Sequence, residues 1–342
     1  VGGGALPAPR APQVLAPAQA APPSPGALAA QLRPLLARGP LAGDVAAEVV
    51  DVHTGQPVWG HRAHTAQVPA STVKLLTAAA ALERLGPEHR LVTRTVLDDR
   101  GQVVLVGGGD PTLTAGPRLP GAPRTSLQVL ARRTAAALGV GAGGPVRVAV
   151  DGSLFAGPPI NPDWQRDYIT SGAVSPVTAL RLHSAGSQTA PARTAGEAFA
   201  QLLRAQGVPV TGSVVSTRST RATGVTRPLA SVRSAPLARL VSYTLTTSDN
   251  DAAEALLRLV GATSSGQGTV TSGVAAVHAV LADLGVPTAG LRLRDGSGLA
   301  RSNRVSPATL TSVLTVAAGP DHPRLAALID GLPVAGLSGT LA

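Results

Sequence analysis

A serine and the only lysine of the chain lie three residues apart, at Ser71 and Lys74. On a helix, side chains at positions i and i+3 share a face, so this hydroxyl and this amine can meet. A buried lysine can lose its proton and then accept the proton of a serine, whereas arginine, which supplies the other 28 of the 29 Lys and Arg residues, stays protonated. The pair therefore indicates a serine nucleophile with a lysine general base.

The surrounding sequence favours this chemistry. Lys74 is followed by Leu75, Leu76 and a run of alanines, which predicts a buried position and a lowered pKa. Ser71 at the start of such a helix would also have free backbone N–H groups near a developing oxyanion. A surface lysine with a serine nearby by chance has the same spacing, so the pair alone leaves both interpretations open.

A second polar group, Ser248-Asp249-Asn250, lies between two segments with helical patterns. A turn at this point can direct Ser248 and Asn250 into a cleft. Asp249 or Asn250 also suits the N-cap of the following helix, and both roles can hold together. Ser-x-x-Lys, Ser-Asp-Asn and Lys-Thr-Gly form the motif set of class A β-lactamases and penicillin-binding proteins.

The segments around these motifs predict the elements that position them. Apolar spacing indicates a helix over residues 25–40, alternation indicates a hairpin over 44–61, and an Ala/Leu-rich run indicates a buried helix over 71–85. Between 90 and 228, short Val-rich runs predict strands, with one helix near 196–206. Later helices are predicted at 236–247, 251–261 with Gly261 as its cap, 272–285 and 306–319.

Taken together, the chain resembles the D-alanyl-D-alanine carboxypeptidases/endopeptidases of the class C, low-molecular-mass penicillin-binding proteins (serine peptidases of the S13 type). The resemblance covers about residues 26–342, and the segments that carry it include VVDVHTGQPVWGH, SYTLTTSDNDAAEALLRLVG and LRDGSGLARSNRVSP. Ser71 and Ser248 are 177 residues apart. A plain β-lactamase keeps these motifs closer, whereas the class C proteins have extra domains inserted between them.

The resemblance implies an α+β fold. Its main part would be a penicillin-binding-protein/β-lactamase-like transpeptidase domain, an antiparallel sheet with helices on both sides. We expect this domain to comprise residues 26–89 plus 229–342, and a mainly β inserted region to comprise residues 90–228. Residues 1–25 are rich in Pro and Ala and are interpreted as a flexible tether.

The resemblance also implies residue roles. Ser71 would attack the carbonyl of the terminal D-Ala-D-Ala peptide bond, with Lys74 as general base. Ser248 would relay a proton to the departing D-alanine, and Asn250 would hydrogen-bond the substrate amide. Water would then hydrolyse the acyl-enzyme, and β-lactams would acylate the same serine.

Four further residues are expected to bind the substrate stem peptide by the same resemblance: Asp249, Arg301, Asp163 and Tyr168. For Arg301, a solvated surface arginine fits the sequence equally well. The partners implied are peptidoglycan stem peptides, with β-lactam antibiotics as inhibitors. No cofactor is implied.

The third motif of the set is absent, because Lys74 is the only lysine and no Lys-[Ser/Thr]-Gly exists. His53-Thr54-Gly55 precedes Ser71 and is interpreted as the hairpin turn. The final residues, LPVAGLSGTLA, resemble a segment that comes shortly before the third motif in the family. We therefore expect that the sequence stops before that motif and that this chain has little carboxypeptidase activity, since losing one oxyanion donor alone costs about 10²–10³ in rate.

Composition excludes several other functions. The net charge is +10, but no Lys/Arg cluster occurs and Phe, Tyr and Trp number two each, which argues against nucleic-acid binding. There is no cysteine, and the seven histidines are scattered, so no metal site is predicted. The GGGDPT segment lacks the Gly-Lys-[Ser/Thr] of a phosphate-binding loop and is interpreted as a turn.

The opening VGGGAL is interpreted as the end of a signal or anchor segment, so we expect a secreted or membrane-anchored protein of the cell envelope. A disordered start of a cytoplasmic protein is the alternative. Two other functions also stay open: a related serine β-lactamase or esterase, and a non-catalytic protein that binds the cell wall.

Overall fold

The computed structural model describes residues 24–36, 44–117, 125–139, 144–183, 188–218 and 227–342. Almost all of the predicted tether, residues 1–25, lies outside them. The helices of the described residues are α1 Pro25–Leu36, α2 Val73–Leu85, α3 Leu127–Leu138, α4 Asp167–Thr170, α5 Pro191–Ala205, α6 Leu237–Thr247, α7 Asn250–Ser265, α8 Val270–Asp283, α9 Pro307–Ala318 and α10 Ala326–Asp330. Among them, none is both long and apolar enough to cross a bilayer.

The strands form one small antiparallel pair, one small parallel pair and one larger sheet. They are β1 Ala47–Val50, β2 Pro57–His61, β3 Val92–Leu97, β4 Gln102–Val106, β5 Leu113–Thr114, β6 Thr125–Ser126, β7 Arg147–Asp151, β8 Val215–Ser216 and β9 Arg227–Arg233. Strands β1 and β2 form the predicted antiparallel hairpin. The larger sheet has the order β8-β7-β4-β3-β9, antiparallel on both sides of β3 and parallel from β4 to β8.

Helix α2 is the centre of the larger hydrophobic core. Nine of its 13 residues are buried, including the four consecutive alanines 78–81. Such small side chains let α7 and α8 pack closely against it, and α6 and α9 complete the surrounding layer. A rigid, buried α2 therefore fixes the position of Lys74 in its first turn.

The inserted region has its own apolar cluster. Helices α3 and α5 cover one face of the larger sheet, and the buried residues of this cluster lie between Val103 and Val232. The sequence pattern predicted one helix here, which corresponds to α5, and the structure adds α3 and the short α4. Its N-cap is Ser126, whose side chain accepts a hydrogen bond from the backbone N–H of Val129.

The prediction that Gly261 ends a helix is wrong. Helix α7 continues to Ser265 and ends at Gly266, which has the left-handed φ of 71° that suits a glycine cap. Gly261 is instead a packing position, because a Cβ there would lie 2.6 Å from the backbone N of Gly273 on α8. A glycine can thus mark a close contact between helices as well as a helix end.

Candidate active site

Ser71 lies in a short 3₁₀ turn, Ala70–Thr72, that leads directly into α2. Ala70 has a left-handed φ of 48°. Directly against it packs the segment Asp295 to Ala300, which we call the 295–300 loop. A Cβ on Gly298 of this loop would overlap the Ala70 carbonyl, so only glycine fits. The nucleophile is therefore held between the helix start and this loop.

Lys74 makes three contacts, one for each proton of an ammonium group. Its Nζ lies 2.9 Å from Ser71 Oγ, 2.8 Å from Asn250 Oδ1 and 2.9 Å from the Ser297 carbonyl oxygen. Its side chain is buried, with a relative exposure of 2%. The structure thus joins both predicted motifs through one amine.

Burial lowers the pKa of Lys74 to about 8, and the nearby carboxylates of Glu254, Asp295 and Asp249 keep it from falling further. With that pKa, about one tenth of the amine is neutral at pH 7. A neutral amine is the form that can accept the Ser71 proton. The group is therefore suited to act as a general base near neutral pH.

Ser248 caps the C-terminus of α6 in the left-handed conformation, with φ 54° and ψ 36°. This unusual backbone brings its hydroxyl to 3.2 Å from Ser71 Oγ. A non-glycine residue in this region costs about 1–2 kcal/mol, so the surrounding structure must hold it there. Ser71 thus has a lysine amine on one side and a hydroxyl on the other.

Asp249 and Asn250 fix the turn between α6 and α7. The Asp249 side chain accepts a hydrogen bond from the backbone N–H of Ala252 at 2.9 Å, as an N-cap, and another from the Tyr243 hydroxyl at 3.0 Å. Both of its oxygens are therefore used within the protein. The Asn250 amide donates to the Ala173 carbonyl at 2.8 Å, which leaves Oδ1 facing Lys74.

Sequence reasoning missed two buried carboxylic acids beside this group, Asp295 and Glu254. Asp295 accepts hydrogen bonds from five donors: the backbone N–H groups of Gly298 and Ala300, the Ser297 hydroxyl, the Asn303 amide and the Trp164 indole. These bonds define the shape of the 295–300 loop. The available signal was the turn-forming Asp-Gly-Ser-Gly, which on its own indicates only a turn.

The other three predicted substrate-binding residues lie on segment 161–173 and directly after the 295–300 loop. Asp163 Oδ2 lies 3.9 Å from Arg294 Nε, and both side chains are about half exposed. Tyr168 is half-buried and packs against the larger core, and Arg301 is exposed. Segment 161–173, which holds Asp163 and Tyr168, is tied to Asp295 through Trp164.

A serine hydroxyl placed between a partly neutral lysine and a second serine defines a serine acyl-transfer enzyme of the Ser-x-x-Lys class. No group of three or more His, Asp or Glu side chains that could hold a metal ion occurs in the described part of the chain. The D-Ala-D-Ala carboxypeptidase 3 (S13) family matches this chain over residues 28–189 and 185–342. The chain belongs to this family.

Similar proteins agree with this assignment. The chain is 37% identical over 340 residues to a carboxypeptidase of Mycobacterium tuberculosis, covering 94% of this chain and 70% of that protein. It is 36% identical over 321 residues to the carboxypeptidase DacB of Mycolicibacterium smegmatis, covering 88% and 66%. Penicillin binding protein 4 from Haemophilus influenzae has the same fold, with a TM-score of 0.69 at 20% identity over 87% of this chain and 80% of that one. These matches confirm the predicted family, the α+β fold and the D-Ala-D-Ala carboxypeptidase class.

Proposed function

We propose that this chain forms an acyl-enzyme through Ser71 with peptides that end in D-Ala-D-Ala, the stem peptides of peptidoglycan. β-Lactams acylate the same serine. The observation that carries the proposal is the position of Ser71 Oγ, 2.9 Å from Lys74 Nζ and 3.2 Å from Ser248 Oγ. Both distances suit proton transfer to and from the reacting serine.

In the acylation step, neutral Lys74 takes the Ser71 proton while Oγ attacks the carbonyl carbon of the penultimate D-alanine. The tetrahedral intermediate then collapses, the peptide C–N bond breaks, and the leaving amine receives a proton through Ser248. The products are a serine ester and free D-alanine. Water then attacks the ester carbonyl, which releases the shortened peptide and restores the Ser71 hydroxyl.

Substrate binding is assigned to the residues around this group. Asn250 hydrogen-bonds the substrate amide, and Asp249 fixes the turn that presents Asn250. Asp163, Tyr168 and Arg301 contact the stem-peptide side chain. The exposed positions of Asp163 and Arg301 support this assignment, because a substrate can reach both.

The relatives support the substrate class and the location. Two are named carboxypeptidases, and a third, from Actinomadura, is named a D-alanyl-D-alanine carboxypeptidase and is 30% identical over 376 residues. The Haemophilus influenzae protein is also known as a complex with a β-lactam. Since peptidoglycan lies outside the membrane, we infer action outside the cytoplasm, either as a secreted protein or through a membrane anchor.

The test is labelling with a fluorescent penicillin together with D-alanine release from an acyl-D-Ala-D-Ala peptide. We expect labelling of the wild-type chain and none of Ser71→Ala, while peptide turnover stays low because the chain has no Lys-Thr-Gly. Rapid β-lactam hydrolysis without a lasting adduct would instead indicate a β-lactamase. Binding to peptidoglycan without any Ser71-dependent labelling would indicate a non-catalytic wall-binding protein.

A further inference from the structure

Glu254 is a fully buried carboxylic acid that none of the three motifs includes. It lies one helical turn after Asn250 on α7, so the two side chains share a face of the helix. Its Oε1 accepts hydrogen bonds from the backbone N–H groups of Gly296 and Ser297, each at 2.9 Å. Its Oε2 is buried and has no hydrogen-bond partner within the described residues.

These two hydrogen bonds act on the part of the 295–300 loop that contacts the base. The carbonyl oxygen of Ser297, the same residue whose N–H binds Glu254, accepts from Lys74 Nζ at 2.9 Å. Helix α7 therefore controls two of the three contacts of Lys74. It supplies Asn250 Oδ1 directly and the Ser297 carbonyl through Glu254.

The chemistry of a neutral amine makes this arrangement important. A neutral lysine keeps two N–H groups and one lone pair, roughly in tetrahedral directions. If Asn250 Oδ1 and the Ser297 carbonyl accept the two N–H groups, the lone pair is left facing the Ser71 hydroxyl. If the Ser297 carbonyl moves away, an N–H group can turn toward Ser71 and the lone pair can point elsewhere.

We propose that Glu254 is a positioning residue for acylation: its Oε1 holds the 295–300 loop so that the Ser297 carbonyl aims the Lys74 lone pair at Ser71. This inference rests on the proposed function, because it assigns Glu254 a part in the acylation of Ser71. Burial raises the pKa of Glu254 to about 8, so a neutral amide is a close mimic of its protonated form.

The test compares the rate of acylation by a penicillin, per folded molecule, across pH 6 to 9 for variants of this chain. Glu254→Ala removes the acceptor and is expected to slow acylation about 10²-fold, the effect of a misplaced reacting group. Glu254→Gln keeps an oxygen for the two N–H groups and is expected to restore a rate close to that of the wild type.

The pH profile gives a readout that a purely structural role would not change. Glu254 becomes charged only as the pH approaches its raised pKa of about 8, and that charge then raises the Lys74 pKa, as Asp295 and Asp249 do. Glu254→Gln cannot acquire this charge, so its acylation rate is expected to level off at lower pH than that of the wild type. A rise displaced to higher pH would contradict the inference.

Asp98 provides a matched control. It is also a buried acid that accepts two backbone N–H groups, from Arg100 and Gln102, but it does so in the turn between β3 and β4. Asp98→Ala is expected to lower stability and to leave the acylation rate per folded molecule unchanged.

A second variant displaces the loop from α7 through a change in the loop itself. A Cβ on Gly296 would lie 2.8 Å from the Ala253 carbonyl oxygen on α7, so Gly296→Ala should push the loop away and slow acylation as Glu254→Ala does. If Glu254→Ala does not fold, Gly296→Ala and Glu254→Gln decide the question.

The outcomes separate the two proposals. If the wild-type chain shows no adduct that depends on Ser71, the proposed function fails. If acylation of the wild type is normal and folded Glu254→Ala or Gly296→Ala keeps its rate, only the role of Glu254 is overturned. A Glu254→Gln variant as slow as Glu254→Ala would also overturn it.

Discussion

At the scale of single residues, the proposed role of Lys74 as general base accounts for a lysine at this position in a chain with 28 arginines. An arginine at this position could not lose a proton in a protein. Burial lowers the pKa of Lys74 to about 8, which an exposed lysine would not reach.

Lys74→Arg is therefore expected to keep the positive charge and lose the base. We expect acylation by a penicillin to slow by about 10²–10⁴-fold, the usual contribution of a general base. Stopped-flow or timed mass measurements would give the acylation rate, with the Ser71→Ala variant as the control that is not acylated. A Lys74→Arg variant within a few-fold of the wild type would show that Lys74 is not the base.

The pH dependence of acylation follows from the same pKa. In the proposed mechanism neutral Lys74 is the reactive form, so the rate should increase by about tenfold per pH unit below pH 8 and level off above it. Rates measured from pH 6 to pH 9 would show this rise. A rate that is constant or falls over this range would contradict the assignment.

Substitutions at Ser248 separate the chemical role of its hydroxyl from the energetic cost of its left-handed backbone conformation. Its left-handed φ of 54° is unfavourable for serine, whereas glycine adopts it freely. Ser248→Gly and Ser248→Ala should both slow acylation, because both lose the hydroxyl that donates to Ser71. Urea unfolding should find the Gly variant more stable than the Ala variant by about 1 kcal/mol. Equal stability would mean that the turn does not strain this residue.

At the scale of elements, helix α7 organises the site. Its N-cap is Asp249, its first residue is Asn250, and its second turn contributes Glu254. The close packing of α7 against α8 depends on Gly261, whose missing side chain admits Ser272 and Gly273.

Gly261→Ala should therefore destabilise the protein even though alanine favours helices. The added methyl group overlaps α8, and such overpacking costs about 1–3 kcal/mol in the free energy of unfolding. Gly26→Ala on α1 is the matched control, because a Cβ there meets nothing within 4 Å. It should be neutral or stabilise by up to about 1 kcal/mol. Chemical denaturation would compare the two, and a neutral Gly261→Ala would refute the packing role.

The elements that the sequence predicts well are those with local signals. The hairpin, α2, α6 and the turn at Ser248 follow from periodicity, caps and glycines within a few residues. The hydrogen-bond partners of Glu254 lie 42 and 43 residues further along the chain. Trp164, which donates a hydrogen bond to Asp295, lies 131 residues before it. Such contacts leave no local pattern, and neither does the packing role of Gly261.

At the scale of the whole molecule, segment 174–182 contacts both apolar clusters. Val174 and Val177 belong to the larger core, and Leu180 and Leu182 belong to the cluster of the inserted region. The same segment carries Arg181, whose guanidinium pairs with Asp251 on α7 at 2.9 Å. The division into the predicted domains stays a prediction, but this segment lies where the two clusters meet.

Arg181→Met should cost up to about 3 kcal/mol of stability at neutral pH, because it leaves the Asp251 carboxylate, whose side chain is only 18% exposed, without its cation. Burial raises the pKa of Asp251 and Arg181 lowers it, so without Arg181 the folded pKa rises further. The folded state then binds more protons than the unfolded chain, and stability falls as pH rises through that window.

Denaturation of Arg181→Met at pH 5 and at pH 7 would measure this effect. We expect a smaller loss at pH 5, and partial recovery at pH 7 in Arg181→Met/Asp251→Asn, which has no charge at either position. An equal loss at both pH values would show that Arg181 stabilises the fold by packing rather than by its charge.

The most direct test of the central claim is the intact mass of the chain and of Ser71→Ala after incubation with a penicillin, followed by peptide mapping. We predict that the wild type gains the mass of one penicillin, that the added mass lies on the peptide containing Ser71, and that Ser71→Ala gains none. A folded wild-type chain without an adduct, or an adduct that persists in Ser71→Ala, would contradict the assignment of Ser71 as the nucleophile.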